Sequence, residues 1–221
     1  MRPSRYVELG VDLGASFLAA CEASRREGLG THCLGVDTWF GDPHAGLRDG
    51  TRAFAGLSQF IAQNYKNSGL LRTTFDEAVV QCADASIDLL HIDGLHTYAA
   101  VKNDFGTWLP KLSRRAVVLF HDTKVFERDF GVWRFFLELQ QSYWSFEFFD
   151  WHGLGVVVVG PEPDEGVRAL MEYVSRSSMN AMGLRSACEA AALSMPKRLR
   201  AQDQANDGRL MLGAEGLLMR W

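Results

Sequence analysis

Residues 6–14 read YVELGVDLG and pass directly into the apolar run ASFLAA at residues 15–20. The first four residues are typical of a short buried strand, and the run that follows the second glycine is typical of a helix. Gly10 and Gly14 permit a tight turn between them, which brings backbone N–H groups and the positive end of the helix close to a ligand. The stretch therefore predicts the strand, turn and helix that open a ligand-binding α/β sheet.

A second apolar strand ends at Asp37, where an acid can accept the hydroxyl groups of a ribose. The first turn follows E-x-G-x-x-x-G rather than G-x-G-x-x-G, and Glu8 and Asp12 would repel a pyrophosphate. A cofactor with a ribose, a cationic centre and no phosphate fits better, and S-adenosylmethionine meets these conditions. The alternative is a glycine turn that only packs a helix against the sheet.

Aromatic residues near the first strands are candidates to contact an adenine. Trp39 follows the acid at 37 closely, and its ring would stack on the adenine or on a sugar ring, with core packing as the alternative. Phe75 follows the third strand, where the edge of an adenine usually lies. The candidate cofactor-binding residues are Glu8, Gly10, Asp12, Gly14, Ser16, Asp37, Thr38, Trp39, Phe75 and Asp93.

The composition is that of one globular domain with an appendage. The chain has 221 residues and a net charge of -4, which gives no basic footprint for nucleic acid. No apolar stretch is long enough to span a bilayer, and the N-terminus has no signal-peptide pattern. The cysteines form no C-x-x-C pair, so we expect buried free thiols and a cytoplasmic location.

Strand-like and helix-like segments alternate as far as residue 159. The last two strands, at 146–149 and 155–159, have a short connection and should be antiparallel. The predicted fold class is α/β: a doubly wound, mostly parallel, seven-stranded, Rossmann-like sheet with one antiparallel strand and a C-terminal helical extension. We assign residues 1–160 to the domain, and 161–221 to the extension, as a linker or an oligomerisation segment.

Individual elements follow from the same patterns. We expect a helix over residues 57–65, a strand over 116–120 and helices over 165–176 and 183–193. The chain begins directly at the first strand and ends in a tail with little pattern. Both ends suggest a domain that belongs to a longer polypeptide.

Acidic side chains follow the fourth and fifth strands. Asp93 and Asp122 end adjacent strands, so their carboxylates should lie near each other. Two close carboxylates repel each other unless a cation or a proton lies between them, and Mg²⁺ accepts such oxygen ligands. The alternatives are a helix cap for Asp93 and a turn residue for Asp122.

Histidines accompany both acids. His96 lies three residues after Asp93 and is suited to remove a proton from a hydroxyl, so we expect both residues to be catalytic. His121 is either a third metal ligand beside Asp93 and Asp122 or a support for one. His44 lies in a loop of the kind that forms a lid, and contact with substrate and an ordinary surface position are both open.

These residues resemble those of class I S-adenosylmethionine-dependent methyltransferases. The resemblance covers about residues 6–160, which is the extent of the predicted doubly wound domain. The most similar branch includes the metal-dependent macrolide-sugar O-methyltransferases, and similar domains occur joined to glycosyltransferases in surface-polysaccharide systems. The motifs that carry it are Glu8-x-Gly10-x-x-x-Gly14, Asp37, Ile92-Asp93-Gly94-x-His96-x-Tyr98 and His121-Asp122.

The resemblance implies that Asp93 and Asp122 bind Mg²⁺ and that His96 is the base in an S_N2 methyl transfer to a sugar hydroxyl. His121 departs from the family, which has an acid there, and leaves Mn²⁺, Zn²⁺ or no metal open. The implied partners are a small-molecule or glycan acceptor, and either a second copy of the chain or a fused glycosyltransferase.

Three other functions remain open. A small-phenol or catechol O-methyltransferase would share the metal but need an aromatic gate. A nucleotide-dependent oxidoreductase is opposed by the missing G-x-G-x-x-G motif. A non-catalytic nucleotide-binding domain of a larger glycan-assembly protein is opposed by the intact set of Asp93, His96 and Asp122.

Overall fold

Strands and helices alternate along the computed structural model, which describes residues 1–44 and 46–194. The strands are β1 (Arg5–Leu9), β2 (His32–Asp37), β3 (Ser68–Arg72), β4 (Ile87–Ile92), β5 (Leu112–His121), β6 (Trp144–Phe148) and β7 (Leu154–Val158). The helices are α1 (Ala15–Arg26), α2 (Thr51–Asn64), α3 (Phe75–Ala78), α4 (Tyr98–Trp108), α5 (Val132–Leu139), α6 (Glu165–Arg176) and α7 (Ser178–Ser194).

All seven strands form one sheet in the order β3-β2-β1-β4-β5-β7-β6. Strands β1 to β5 are parallel, and β7 runs antiparallel to both of its neighbours, which confirms the predicted fold class. The chain reverses its direction of winding between β1 and β4, so a crevice opens there beyond the carboxyl ends of the strands. That crevice is where the candidate residues are expected to meet.

Hydrophobic packing on both faces holds the sheet. Phe17 and Leu57 lie in one cluster that α1 and α2 press onto the sheet, and Phe105 and Phe136 lie in another that α4 and α5 cover. Met171 of α6 belongs to a third cluster, against β5, β6 and β7. Each such side chain contributes roughly 1.5 to 3 kcal/mol when fully buried. The first strands therefore form a rigid base for the crevice.

Some elements are longer than the sequence predicted. Helix α2 begins at Thr51, six residues before the expected start, because Ala53 and Phe54 also pack against the core. Strand β5 begins at Leu112, because Arg115 joins an ion pair with Asp88 and can therefore lie within a strand. In both places a contact with a distant part of the chain extends an element beyond its local pattern.

The C-terminal extension begins with two helices. Helix α6 has the predicted bounds, whereas α7 begins at Ser178, five residues before the predicted start. The sequence contains no sign of the earlier start, because Met179 and Met182 in the first turns of α7 are exposed and form no apolar stripe. The tail at 195–221 lies outside the described residues, and the domain boundary at 160 stays a prediction. No helix in the described part of the chain is long and apolar enough to cross a membrane.

Candidate functional site

The turn after β1 has a conformation that requires glycine. Gly10 has a φ of 94°, and a Cβ atom there would lie 1.9 Å from the carbonyl oxygen of Asp93. Gly14 has a φ of 89°, and its Cβ would meet Leu57 of α2 at 2.8 Å. Gly10 thus lets the turn approach the end of β4, and Gly14 lets α1 begin close to α2.

Asp37 holds this turn through backbone hydrogen bonds. Its Oδ2 accepts from the N–H groups of Val11 and Asp12, both at 2.9 Å, and its Oδ1 accepts from the N–H of Trp39 at 2.7 Å. Burial raises the pKa of Asp37, and these hydrogen bonds oppose that shift. A carboxylate has about four acceptor positions, so Asp37 keeps room for a ligand hydroxyl in the cleft that it lines.

Glu8 lies beneath the turn and is fully buried. Its carboxylate accepts hydrogen bonds from the hydroxyl groups of Tyr6 and Ser16, the latter at 2.7 Å, and lies 3.3 Å from Nδ1 of His91. Ser16 lines the cleft, whereas Glu8 does not. The position of Glu8 therefore lets it act on a ligand through Ser16.

Trp39 lies in the core behind the same turn. Its side chain is buried, its Nε1 donates to the carbonyl oxygen of Asp12 at 2.8 Å, and its ring packs 4.8 Å from that of Phe54. Neither Trp39 nor Gly14 lines the cleft. Of the candidate cofactor residues, those that do line it are Gly10, Asp12, Ser16, Asp37, Thr38, Phe75 and Asp93.

The cleft lies beyond the carboxyl ends of β1, β2, β4 and β5 and has a volume of about 880 Å³. This volume is within the usual range for small-molecule sites, roughly 300 to 1,000 Å³. Acidic side chains in its lining outnumber those of arginine and lysine, and four histidines also line it. The acidic residues are Asp12, Asp37, Asp42, Asp93, Asp122 and Glu127, and the basic ones are Arg48, Lys124 and Arg128.

Asp93 and Asp122 meet at this end of the sheet, as the strand order predicts. His96 Nε2 lies 2.9 Å from Oδ2 of Asp122 and 3.5 Å from Oδ1 of Asp93. His121 Nδ1 lies 3.2 Å from Asp93 and 3.1 Å from Oδ1 of Asp122. We call Asp93, His96, His121 and Asp122 the acid–histidine cluster.

Charge is balanced inside the acid–histidine cluster. Burial alone would lower the pKa of both histidines, but the two carboxylates raise it to about 9 for His96 and to about 10 for His121. Burial alone would raise the pKa of Asp93 and Asp122, but the histidines hold it well below its usual range. Without a metal, two imidazolium groups thus neutralise two carboxylates at neutral pH.

The donor set of the cluster also fits a divalent ion. One ligand atom each from Asp93, His96 and Asp122 lies within 4.8 Å of the others. Oδ1 of Asp122 is buried and accepts no hydrogen bond of good geometry from the described residues, and Asp122 has a φ of 61°. A buried oxygen without a well-aligned hydrogen bond and a backbone with positive φ at one residue are features that functional sites often share. The ligand group includes His96, where the sequence suggested His121.

Sequence reasoning did not find the wall of the cleft around His96. Phe130, which lies between β5 and α5, stacks on His96 with ring centroids 4.9 Å apart. His44 lies in the loop between β2 and α2, and the centroid of its ring is 4.4 Å from that of Phe130. His152 Nδ1 lies 3.3 Å from Asp122. The sequence contains one signal for these residues, the position of His44 in a loop rich in glycine, aspartate and proline. It contains none for Phe130 and His152, because their contacts join segments that are distant in the chain.

Comparison with known proteins follows the same part of the chain. Residues 7–123, just over half of the sequence, match the family model of a methyltransferase domain. The chain is 46% identical over 170 residues to the uncharacterized protein y4gI of Sinorhizobium fredii (strain NBRC 101917 / NGR234). That match covers 77% of this chain and 19% of the relative, so the chain spans about a fifth of the relative's length.

Solved structures share the fold at low identity. A candidate caffeoyl-CoA O-methyltransferase from Staphylococcus aureus has a TM-score of 0.55 at 15% identity, over 72% of this chain and 77% of that one. A methyltransferase from Podospora anserina with bound S-adenosylhomocysteine has a TM-score of 0.51 at 14% identity, over 71% and 72%. At these identities the likeness shows the Rossmann-like methyltransferase fold and no more.

Proposed function

Because the chain belongs to the methyltransferase domain family, we propose that it transfers a methyl group from S-adenosylmethionine to a sugar hydroxyl of a glycan or a glycosylated metabolite. The observation that carries the proposal is the acid–histidine cluster, which lies in the same cleft as the glycine turn. A base and carboxylates beside a cofactor pocket are what the transfer to a hydroxyl requires.

The near end of the cleft fits the cofactor. Asp37 offers an acceptor for a ribose hydroxyl, and Phe75 lines the cleft at the end of β3, where an adenine would lie. Helix α1 has no side-chain cap at its first turn, so its N–H groups remain for a ligand. When bound, S-adenosylmethionine would supply the methyl group, which is carried on a positively charged sulfur.

His96 is the proposed base. Its Nε2 points to the carboxylates and lines the cleft, so an acceptor hydroxyl bound beside Asp93 would give its proton to this nitrogen. Asp93 and Asp122 then stabilise the imidazolium that forms, because each lies within 3.5 Å of Nε2. A proton taken from the hydroxyl leaves an oxygen that can attack the methyl carbon while the bond from that carbon to sulfur breaks and S-adenosylhomocysteine leaves. The cleft walls would align the oxygen with the methyl carbon.

A divalent ion is the second part of the proposal. Asp93 and Asp122 would hold it with His121 beside them, so that Nε2 of His96 stays free to act as the base. When bound, it would supply positive charge that lowers the pKa of a neighbouring hydroxyl. In the cluster without an ion, the pKa of about 9 means that His96 already carries a proton at neutral pH and cannot accept another. A bound ion would supply positive charge in place of that proton, so that His96 could act as the base.

The acceptor end of the cleft favours a polyol. It is lined by groups that donate and accept hydrogen bonds and by the exposed ring of Phe126, a suitable surface for a sugar ring. A small phenol is the second candidate, because Phe130 and His44 form a flat stacked wall beside His96.

A transfer assay tests the proposal. Methyl-labelled S-adenosylmethionine is incubated with the protein and with two acceptor panels, sugars with vicinal hydroxyls and catechols, before and after EDTA treatment and Mg²⁺ addition. We expect label in the sugars, its loss with EDTA and its return with Mg²⁺. Transfer to catechols alone would replace the acceptor class, and transfer that EDTA leaves unchanged would remove the metal from the proposal.

A further inference from the structure

A second histidine stands behind His96. His44, in the loop between β2 and α2, has its Nδ1 3.3 Å from Nδ1 of His96, on the side of that ring that faces away from the carboxylates. Its own Nε2 lies 2.7 Å from Oδ1 of Asp129, in the segment between β5 and α5. The side chain of His44 is only 6% exposed, whereas that of Asp129 is 69% exposed. An unbroken line of polar contacts therefore runs from the surface to the acid–histidine cluster.

The surrounding contacts fix the rings of this line. Phe130 stacks on both imidazoles, with interplanar angles of 16° to His44 and 7° to His96. The backbone N–H of Gly131 donates to the carbonyl oxygen of His96 at 2.8 Å, and Thr97 forms a β-bridge with Phe130. Three separate loops are thus joined at His96, and its ring cannot turn freely.

For a neutral His44, hydrogen-bond direction in this line has one solution. A carboxylate only accepts hydrogen bonds, so the nitrogen of His44 that faces Asp129 carries the hydrogen. The other nitrogen of a neutral His44 is then an acceptor, and it faces Nδ1 of His96. His96 must therefore donate from Nδ1, and the proton that it exchanges with a substrate is the one at Nε2, inside the cleft.

From this geometry we propose that Asp129 and His44 are positioning residues, which hold His96 with Nδ1 as the donor and Nε2 as its proton-exchanging atom. The inference rests on the proposed function, because it assigns a purpose to the base of that reaction. Neither residue touches the acceptor oxygen in this role. Their effect is on which nitrogen of His96 is available, as when an acid orients a catalytic histidine.

Nuclear magnetic resonance tests the inference without turnover. Long-range ¹H–¹⁵N spectra of protein with ¹⁵N-labelled histidine distinguish the two neutral tautomers, and His44→Phe identifies the signals of His44. We expect wild-type His44 to carry its hydrogen at Nε2. In Asp129→Lys, an ammonium replaces the acceptor and donates to Nε2, so the Nδ1–H tautomer should appear.

Kinetics give the second readout. We expect Asp129→Lys to lower kcat roughly 10- to 100-fold, within the scale of general base catalysis, with unchanged affinity for S-adenosylhomocysteine. Asp129→Glu should restore the wild-type spectrum and rate. Asp150→Lys makes the same charge change at another exposed aspartate and should alter neither.

Two results would overturn the assignment. One is a wild-type His44 with a hydrogen at Nδ1, whether on that nitrogen alone or on both, and the other is an Asp129→Lys variant with unchanged His44 signals. The spectra need neither cofactor nor acceptor, so they decide the roles of His44 and Asp129 even if the wild-type protein transfers no methyl group. The absence of methyl transfer by the wild-type protein would instead count against the proposed function.

Discussion

Strand β4 contains the buried Asp88 near its amino end and is followed directly by the half-buried Asp93, and the two aspartates have opposite surroundings. At the amino end, Asp88 accepts hydrogen bonds from the backbone N–H of Ser4 at 2.6 Å, from Ser113 at 2.7 Å and from two nitrogens of Arg115 at 2.7 and 3.0 Å. At the carboxyl end, Asp93 lies beside a second carboxylate and two histidines.

This difference indicates that the amino end of β4 contributes to stability, whereas the carboxyl end carries the groups suited to chemistry. The donors around Asp88 are a guanidinium, a hydroxyl and a backbone N–H, which no ligand is needed to complete. The acid–histidine cluster has exchangeable protons, and among the described residues Oδ1 of Asp122 accepts no hydrogen bond of good geometry. The backbone of Asp122 also has a positive φ. Strain and incomplete pairing of this kind cluster at functional sites. We therefore expect substitutions at the two ends to affect different measurements.

Replacement of the base should give the largest effect. We expect His96→Gln to lower the rate of methyl transfer by roughly 10² to 10⁴, because glutamine can fill the position but cannot accept the proton. The midpoint of thermal unfolding should change little, since His96 is held by loops rather than by the core. Parallel rate and unfolding measurements check both halves. A variant with near wild-type activity would show that another group is the base.

The matching substitution at the amino end is Asp88→Asn. Burial alone would raise the pKa of Asp88, but Arg115 and Ser113 lower it to about 2. Against an unfolded value of about 3.9, the ionised form contributes roughly 2 kcal/mol of stability. We expect Asp88→Asn to lower the free energy of unfolding by about that amount at pH 7.

The pH dependence of that loss follows from the lowered pKa. Stability from a carboxylate with a depressed pKa is present above the unfolded pKa and is lost as the pH falls through the folded one. The difference between wild type and Asp88→Asn should therefore shrink between about pH 4 and pH 2. Urea denaturation at several pH values measures it. A difference that stays constant over that range would contradict the ionic role of Asp88.

The smallest expected effect is a loss of ion affinity in Asp122→Asn. Asparagine tolerates a positive φ, so the backbone at this position should keep its conformation. The loss of one carboxylate ligand should weaken Mn²⁺ binding by about tenfold or more. Calorimetric titration checks this, with Asp88→Asn as the control of unchanged affinity. Equal affinities in wild type and Asp122→Asn would place the ion elsewhere.

Much of the fold followed from local sequence. The glycine turn, the apolar strands and their order along the chain predicted the seven-stranded sheet and placed Asp93 and Asp122 at one edge. This worked because parallel strands alternate with helices in a chain of this class, and their carboxyl ends share one side. The early start of α2 and β5 could not be read locally, since packing and the Asp88–Arg115 pair extend them.

Side-chain roles within the cleft were harder to predict than positions. Glu8 and Trp39 have the right places in the sequence, but both lie behind the surface of the cleft, because strand residues alternate between faces and the turn folds over them. The contact of His44 with His96 spans 52 residues and that with Asp129 spans 85, so no local pattern reveals them. Sequence spacing located the site, and long-range packing decided its wall.

The central claim is that the carboxyl end of the sheet binds the cofactor. Calorimetric titration of S-adenosylhomocysteine into wild type, Asp37→Ala and Asp88→Asn tests it most directly. The account predicts binding to wild type, a loss of about 1 to 3 kcal/mol in Asp37→Ala, which removes a buried charged acceptor, and unchanged affinity in Asp88→Asn. No binding to the wild-type protein, or equal affinities for wild type and Asp37→Ala, would contradict it.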